Sequence, residues 1–164
     1  LHWSANFDEI HDFEGQIRRL AGGTGLMSDS SYFAGTRSQP LGQAKAGLSP
    51  DLDALAAYVA SLRTFDNSPF RASNNTLTAA AVAGRAVFAA NGCGSCHGGT
   101  AFSTSGSATL VDVGTIKPTS GTRLGLPNAL TGIDPPTLRD VWATAPYLHD
   151  GSAPTLADAV RAHR

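Results

Sequence analysis

Cys93-Gly94-Ser95-Cys96-His97 is the most informative stretch of this 164-residue chain. Two thiols at this spacing can add to the two vinyl groups of a haem, and the histidine directly after them reaches the iron from one face. The chain has only these 2 cysteines, so a structural zinc site would lack its second ligand pair. A thioredoxin-like redox pair would need a βαβ context, which the surrounding sequence lacks. The pattern therefore predicts one haem c, attached covalently through Cys93 and Cys96, with His97 as an iron ligand.

Two helices are predicted immediately before this motif. Ser49-Pro50-Asp51 is a typical helix start, with a serine N-cap, a proline in the first turn and an acid near the N-terminus. The second helix, of about 13 residues, ends at Asn91-Gly92 and carries Gly84 and Phe88 one turn apart on one face. The first helix repeats apolar residues along one side: Leu52, Leu55, Val59 and Leu62, with Tyr58 beside them.

A further helix is predicted near the start of the chain, from Phe7 to Leu20. Its last turn carries Arg18 and Arg19, which complement the helix dipole. Gly22-Gly23-Thr24-Gly25 ends it, and the glycine-rich stretch up to residue 48 is predicted to be loop. Its apolar residues recur at intervals of three or four: Ile10, Phe13, Ile17 and Leu20.

The stretch from residue 98 to residue 136 is rich in Gly, Ser, Thr and Pro. A loop of this length is uncommon in a compact domain unless it wraps something, and a haem is a large apolar disc to wrap. A disordered linker is the alternative, but the scattered apolar residues argue against it. Farther along, Pro136-Thr137-Leu138-Arg139 predicts a short helical turn. Thr155-x-x-Asp158 is a capping-box pattern that opens a last helix.

Composition excludes several classes of partner. Charged residues make up 15% of the chain and the formal net charge is −1, so the basic face that nucleic acid or an anionic membrane surface requires is not expected. No apolar run approaches the length of about 18 residues needed for a membrane span. The sequence opens at Leu1-His2-Trp3 without the features of a signal peptide. We therefore expect a mature exported protein or a domain of a larger polypeptide.

From Cys93 onward the chain resembles the haem domains of the bacterial di-haem cytochrome c peroxidase and methylamine-utilisation haem enzyme group. The resemblance rests on the string PTLRDVWATAPYLHDGS, from Pro136 to Ser152, and covers about half of the chain. It implies an all-α, cytochrome c-like fold around one haem, with long haem-wrapping loops. We expect a single domain over residues 1–164: an extension with an extra N-terminal helix and loop at 1–48, and a haem-binding core at 49–164. A periplasmic or otherwise extracytoplasmic location is also implied, because bacteria attach haem c outside the cytoplasm.

The resemblance also implies a sixth iron ligand. In that family it follows the histidine of a tyrosine-x-histidine stretch, here His149, by fourteen residues, which gives His163. Met27, the only methionine, is the alternative ligand, because a thioether is the other common axial donor; its other role would be to fill a gap in the core. His149 itself is expected near the haem edge. The residue pattern agrees with His163, because one stripe of the last helix holds Leu156, Ala159, Val160 and His163.

Three further residues of the resembling string are predicted to contact the haem. Arg139 suits a haem propionate, because a planar guanidinium matches a carboxylate. Trp142 and Tyr147 are expected to pack near the porphyrin, and each has a polar group able to bond a propionate.

The order of the helices suggests a circular permutation. Class I cytochromes c cross an N-terminal helix, with a glycine and an aromatic residue four apart, against a C-terminal helix with a tyrosine. Gly84 and Phe88 match the first helix, and the helix that holds Tyr58 resembles the second but precedes the haem motif. The hypothesis is a permuted fold in which Tyr58 packs near Gly84. The alternative is the tail of one cytochrome domain followed by a truncated second one.

The sequence predicts a monohaem c-type cytochrome that transfers single electrons and is not an enzyme. Its partners would be redox proteins or a fused catalytic domain, met through small and weak interfaces. A haem peroxidase or oxygenase-type catalytic domain is one alternative, which the family suggests. The single CxxCH and a sixth ligand on the iron argue against it. A haem-based sensor, in which one ligand is displaced, is the other alternative.

Overall fold

The structure, a computed structural model, describes residues 2–34, 42–62, 68–105, 107, 109–121 and 129–163. The regular elements of these residues are helical, apart from two isolated antiparallel bridges, Val111 to Ile133 and Tyr147 to Ala153. Within the described ranges, no helix is long and apolar enough to cross a membrane. The α-helices are Glu14–Arg19 (α1), Asp29–Phe33 (α2), Pro50–Ser61 (α3), Ala79–Ala90 (α4) and Leu156–Ala162 (α5). Short 3₁₀ turns lie at Ile10–Phe13, Cys93–Ser95, Pro118–Ser120 and Val141–Ala143.

The chain divides into two compact units. The N-terminal unit comprises the described residues of 1–63 and 121–130. The motif unit comprises those of 64–120 and 131–164, and it contains the Cys93–His97 motif. Whether the chain is one domain, with an extension at 1–48 and a core at 49–164, stays a prediction.

The N-terminal unit packs its first turns against α3 and closes a small apolar core. Met27, Tyr32 and Leu52 are buried together, with Leu48 packed against them. The helix predicted over 7–20 is shorter than expected, because a 3₁₀ turn over Ile10–Phe13 leads into α1. The core therefore lies beside a mixed helical segment and α3.

Charged side chains are also buried in the N-terminal unit. Glu14 is 1% exposed and accepts hydrogen bonds from the backbone N–H groups of Leu26 and Met27 and from Arg18 Nε. Lys45 is 2% exposed and is ion-paired with the buried Asp12. These pairs hold the loops after α1 and before α3 onto the first helical turns. A buried charge is tolerated only when it is paired in this way.

The start of α3 is as predicted, but its buried face is narrower. Ser49 Oγ accepts a hydrogen bond from Leu52 N at 3.3 Å, and Pro50 occupies the first turn. Leu52 and Ala56 are buried, whereas three of the predicted apolar residues and Tyr58 are exposed. The buried face of α3 is thus narrower than the predicted apolar face. The exposed residues are Leu55, Tyr58, Val59 and Leu62.

Helix α2 was not expected, because it lies in the stretch predicted to be loop. Ser28 caps it by accepting a hydrogen bond from Ser31 N at 3.1 Å. The glycines of this stretch lie outside α2. The serine cap at Ser28 therefore indicates the helix better than the overall composition of the stretch does.

The motif unit contains α4, the haem motif and α5. Thr78 caps α4, and Gly92, in the left-handed region at φ +67°, separates its end from the motif. Thr155 caps α5 by accepting from Asp158 N at 3.2 Å, as the capping-box pattern predicts.

The helical turn predicted at Pro136–Arg139 is wrong. The turn lies at Val141–Ala143, after Asp140 in the left-handed region at φ +54°. A proline disfavours helical backbone at the residue before it, so the Pro135–Pro136 pair restricts Asp134 and Pro135, just ahead of the predicted turn. Residues 134–139 instead run beside residues 100–105.

Candidate haem-binding site

The Cys93–His97 motif forms one tight turn at the end of α4. The backbone N–H of His97 donates to the carbonyl of Cys93 at 2.9 Å, and Cys96 N–H donates to the same oxygen at 3.3 Å. Both thiols are free and half-buried. Ser95 Oγ closes the turn by donating to the carbonyl of Gly92 at 2.8 Å. The attachment residues are therefore held together by local backbone bonds, as a pentapeptide motif requires.

The rings of His97 and His163 lie near each other. Their ring centroids are 6.5 Å apart, and their planes are inclined by 56°. Two imidazoles bound through Nε2 to one metal ion, each at about 2 Å and with its ring centre about 1 Å beyond the nitrogen, would have centroids about 6 Å apart. The observed separation fits one metal ion between the two rings.

The hydrogen bonds of the two rings assign their tautomers. His97 Nδ1 lies 3.2 Å from the carbonyl of Pro136, and His163 Nδ1 lies 2.8 Å from the carbonyl of Ala159. A carbonyl only accepts, so each Nδ1 carries the hydrogen and each Nε2 keeps its lone pair. Neither Nε2 has a hydrogen-bond partner among the described residues. Two imidazoles with oriented rings and available Nε2 atoms are a suitable donor set for iron.

The sequence could have predicted the carbonyl that orients His163, but not the one that orients His97. Ala159 is on α5, four residues before His163, so its carbonyl is within reach of a side chain directly after the helix. Pro136 is 39 residues from His97, and nothing in the local pattern connects them.

Two of the three predicted haem-contacting residues bond to nearby backbone. Arg139 donates from Nε and Nη2 to the carbonyl of Thr100, at 3.1 and 2.7 Å. Tyr147 Oη donates to the carbonyl of Val141 at 2.8 Å. Trp142 is half-buried in the 3₁₀ turn at 141–143. Their contacts with the haem stay predictions.

Met27, the alternative ligand, belongs to the N-terminal unit. Its side chain is 5% exposed and packs with Tyr32 and Leu52. This is the packing expected of a methionine that fills a gap in an apolar core.

His149 and Asp150 anchor the turn at Pro118–Ser120. His149 Nε2 lies 2.9 Å from Ser120 Oγ, and Lys117 Nζ lies 3.1 Å from an oxygen of Asp150. Hydrogen bonds from Ser152, and then the bond from Lys117, hold the pKa of Asp150 well below its usual range. These contacts attach the second half of the resembling string to the loop before it.

The motif unit presents large apolar side chains at its surface. No side chain of α4 is buried, although the helix is rich in alanine and valine. Among the described residues of this unit, glycine and proline aside, Ala153 is the one apolar residue that is buried. A haem, which is large and apolar, suits this surface. The exposed apolar residues of the unit are Phe70, Leu77, Val82, Val87, Phe102, Leu156 and Val160.

Comparison with known proteins agrees with this site. Residues 132–163, which include His163, match the family described as RoxA-like, cytochrome c-like. The chain is 35% identical over 126 residues to the cytochrome c peroxidase Ccp of Escherichia coli strain K12, covering 66% of this chain and 26% of that protein. It is 31% identical over 141 residues to the hydrazine synthase subunit gamma of Kuenenia stuttgartiensis, covering 66% of this chain and 40% of that protein. No solved structure matches the chain.

The matches confirm the resemblance to c-type haem proteins that the sequence predicts. The match over residues 132–163 also supports a cytochrome c-like domain, whose regular elements are helical and for which haem c is the implied cofactor. The chain spans less than half the length of either curated relative.

Proposed function

We propose that this cytochrome c-like domain holds one haem c, with iron between His97 and His163, and transfers single electrons between redox partners. Cys93 and Cys96 would form the thioether bonds. Haem iron supplies a one-electron couple whose potential depends on its axial ligands and their surroundings. The closeness of the His97 and His163 rings, whose centroids are 6.5 Å apart, carries the proposal.

The two histidines also favour electron transfer over chemistry at the iron. An imidazole on each face leaves no coordination position for peroxide or oxygen. Both Nδ1 atoms donate to neutral carbonyls, so each ring is held in place while its Nε2 stays available. Two imidazoles also give a lower reduction potential than one imidazole and one thioether, because methionine raises it.

The ligand assignment is tested by two substitutions. We expect His163→Ala to convert the oxidised haem from low-spin to high-spin, whereas Met27→Ala leaves it low-spin because Met27 lies in the N-terminal core. Visible and paramagnetic resonance spectra report spin state and ligand type together. A high-spin Met27→Ala protein beside a low-spin His163→Ala protein would reverse the assignment.

Covalent attachment and location need separate measurements. The colour should stay with the denatured protein after extraction with acidic organic solvent, because thioether bonds survive it. Replacement of Cys93 and Cys96 by alanine should release it. We further infer a periplasmic or otherwise extracytoplasmic location, which cell fractionation of the natural host tests. Redox proteins, or a catalytic domain on the same polypeptide, would be the partners.

A haem peroxidase is the second candidate, because one relative is named a cytochrome c peroxidase. Carbon monoxide and hydrogen peroxide distinguish the two functions. We expect slow binding of either molecule to the natural protein and rapid binding to His163→Ala, where one face of the iron is open. Rapid binding to the natural protein would favour the peroxidase.

We also propose the circular permutation, in which α3 and α4 take the places of the C-terminal and N-terminal helices of a class I cytochrome c. The residues that support it are Tyr58 on α3, and Gly84 and Phe88 on α4. A tight crossing of two helices needs a small residue at the contact, and Gly84 provides one.

A further inference from the structure

We propose that the hydroxyl groups of Ser103 and Thr137 position the carbonyl of Pro136 on the Nδ1 of His97 and thereby help to set the reduction potential of the site. This inference rests on the proposed function, because it takes His97 to be an iron ligand. Neither hydroxyl touches the ring of His97 in a hydrogen bond. Both act through the backbone of residues 135–137.

Two hydroxyl bonds flank the Pro136 carbonyl. Ser103 Oγ donates to the carbonyl of Pro135 at 2.6 Å, and Thr137 Oγ1 donates to the carbonyl of Ala101 at 2.6 Å. Pro136 lies between these two bonds, and its own carbonyl is 3.2 Å from His97 Nδ1. We call the bonds made by Ser103 and Thr137 the two pins.

The pins belong to a longer contact between residues 100–105 and residues 134–139. Leu138 N–H donates to the carbonyl of Phe102 at 3.3 Å, and Arg139 donates twice to the carbonyl of Thr100. At its other end, Ser105 Oγ lies 2.5 Å from an oxygen of Asp134. The loop after the haem motif is thus fastened along the segment that provides the acceptor for His97.

Side-chain hydroxyls are needed here because the backbone cannot make the contact alone. Pro135 and Pro136 have no N–H groups, so an ordinary strand ladder loses two donors at this point. Ser103 and Thr137 supply donors on either side of the gap. The same proline pair that excludes a helix therefore makes the segment dependent on hydroxyl groups.

The second carbonyl near His97 is also held by this contact. Phe102 has φ +49°, in a left-handed region that costs free energy for a residue with a side chain, and its carbonyl is 3.4 Å from His97 Nδ1. The bond from Leu138 N–H helps to keep Phe102 in that conformation. Both acceptors of the His97 N–H are thus fixed by the contact between the two segments.

A hydrogen bond from Nδ1–H to a carbonyl raises the basicity of a ligand imidazole. A more basic imidazole stabilises ferric iron more than ferrous iron. When the Pro136 carbonyl is free to move, its hydrogen bond with His97 Nδ1 weakens, and the ferric form is stabilised less relative to the ferrous form. Loss of a pin is therefore expected to raise the reduction potential.

The test is the midpoint potential of the complete haem protein carrying Thr137→Val or Ser103→Ala. We expect each to change the ferric-to-ferrous ratio at a fixed potential by up to about ten-fold, equivalent to about 59 mV for a one-electron couple. Thr137→Ser keeps the hydroxyl and should restore the natural value. Thr109→Val is the matched control, because its hydroxyl donates to Ser107 within another loop of the same unit.

Unchanged potentials in both Thr137→Val and Ser103→Ala, with low-spin spectra intact, would overturn the inference. A shift in Thr109→Val as large as in Thr137→Val would do the same. Where Thr137→Val fails to retain haem, Ser103→Ala decides by the same criterion. Failure of the proposed function would be visible earlier, as a natural protein without a low-spin haem ligated by two histidines.

Discussion

Gly25 lies against the buried carboxylate of Glu14, and its lack of a side chain allows that contact. A Cβ at this position would lie 2.1 Å from Glu14 Oε1 and 2.3 Å from Arg18 Nε, and φ is +81°. Gly25→Ala must displace the carboxylate that accepts from the loop backbone. We expect a loss of about 2–4 kcal/mol, from left-handed strain together with weakened charged hydrogen bonds.

Gly47 offers a matched control for this prediction. It has the same φ of +81°, but a Cβ there would meet no atom within 4 Å. Gly47→Ala should therefore cost about 1 kcal/mol, the strain of the left-handed backbone alone. Chemical unfolding followed by the fluorescence of Trp3, in a Trp142→Phe background, measures both variants. Equal losses would show that the Glu14 contact adds nothing.

The ion pair of Lys45 and Asp12 predicts a pH dependence. Burial raises the pKa of Asp12, but hydrogen bonds, first from Lys45 and then from Asp8, outweigh it, so the pKa is lowered overall from 3.8. An acid whose pKa is lower in the folded state stabilises the fold at neutral pH. That contribution is lost as the pH falls from about 4 through the folded pKa.

Asp12→Asn tests this dependence. The variant should lose up to about 3–5 kcal/mol at pH 7, because the buried Lys45 would keep only Glu9, at 3.6 Å, as a charged partner. Between pH 5 and pH 2, in the range of about 4 where carboxylates titrate, its stability should fall less steeply than that of the natural protein. Asp51→Asn, at an exposed position on α3, is the control. If the free energy of unfolding of Asp12→Asn falls between pH 5 and pH 2, a range of about 3 units, as steeply as that of the natural protein, groups other than Asp12 cause the pH dependence.

At the residue scale, the sequence predicts best where the chemistry is local. The Cys93–His97 motif is defined by its spacing alone, and the structure folds it as one turn. The burial of Glu14 could not be predicted, because its acceptor role depends on a loop 12 residues away. The resemblance predicts His163 as a ligand, but α5 ends at Ala162, so His163 lies directly after the helix in extended backbone and is exposed, not on the predicted helical stripe.

Among the helices, α5 has the most direct link to the site. It has 7 residues, begins at the Thr155 cap and is followed directly by His163. Thr155→Ala should cost about 1 kcal/mol of cap energy, which raises the open fraction of so short a helix about five-fold. If His163 is an iron ligand, carbon monoxide should bind the ferrous variant about five-fold faster, because binding needs this residue to leave.

Ser49→Ala is the control for Thr155→Ala. It removes a similar cap from α3 in the N-terminal unit. Its stability loss should be comparable, while carbon monoxide binding stays at the natural rate. If Thr155→Ala also binds carbon monoxide at the natural rate, the stability of α5 does not control access to the iron.

The proposed crossing of α3 and α4 predicts the sign of one substitution. Glycine inside a helix is normally less stable than alanine by about 0.5–1 kcal/mol, so Gly84→Ala should stabilise an isolated α4. If another helix crosses at Gly84, the added methyl group must separate the two helices and the variant is destabilised instead. Thermal unfolding measures the sign. Ala86→Gly, at an exposed position of α4, reports the intrinsic helix effect, and a stabilised Gly84→Ala protein would reject the crossing.

Helix starts were predictable where a single side chain caps the backbone, as at Ser49 and Thr155. The exact positions of other helical turns were harder to predict. The predicted turn at Pro136–Arg139 failed because this segment hydrogen-bonds to the loop after the haem motif, and the two prolines keep Asp134 and Pro135, just before it, out of helical backbone. That pairing depends on residues more than thirty positions apart, beyond the reach of local patterns.

At the scale of the whole molecule, the two units differ in what stabilises them. The N-terminal unit has a buried apolar core around Met27, Tyr32 and Leu52 and buried ion pairs beside it. Among the described residues of the motif unit, glycine and proline aside, Ala153 is the one apolar residue that is buried, and the unit is held by hydrogen bonds between its loops. A domain normally buries its apolar faces around one core. We therefore expect the motif unit to depend on haem for its stability far more than the N-terminal unit does.

Each unit contains one tryptophan, Trp3 or Trp142, so their unfolding can be followed separately. Variants with Trp142→Phe or Trp3→Phe would be prepared with haem attached and, through Cys93→Ala with Cys96→Ala, without it. Without haem, the Trp3 reporter should still show a cooperative transition, because the core around Met27 and Tyr32 is intact. The Trp142 reporter should show none, because the apolar surface of its unit would be left in water. Hydrogen exchange on the same proteins should show protection over α3 and little over α4. If both tryptophans report cooperative unfolding in the haem-free protein, the motif unit is stabilised by its own chain. The haem would then bind to a unit that folds without it.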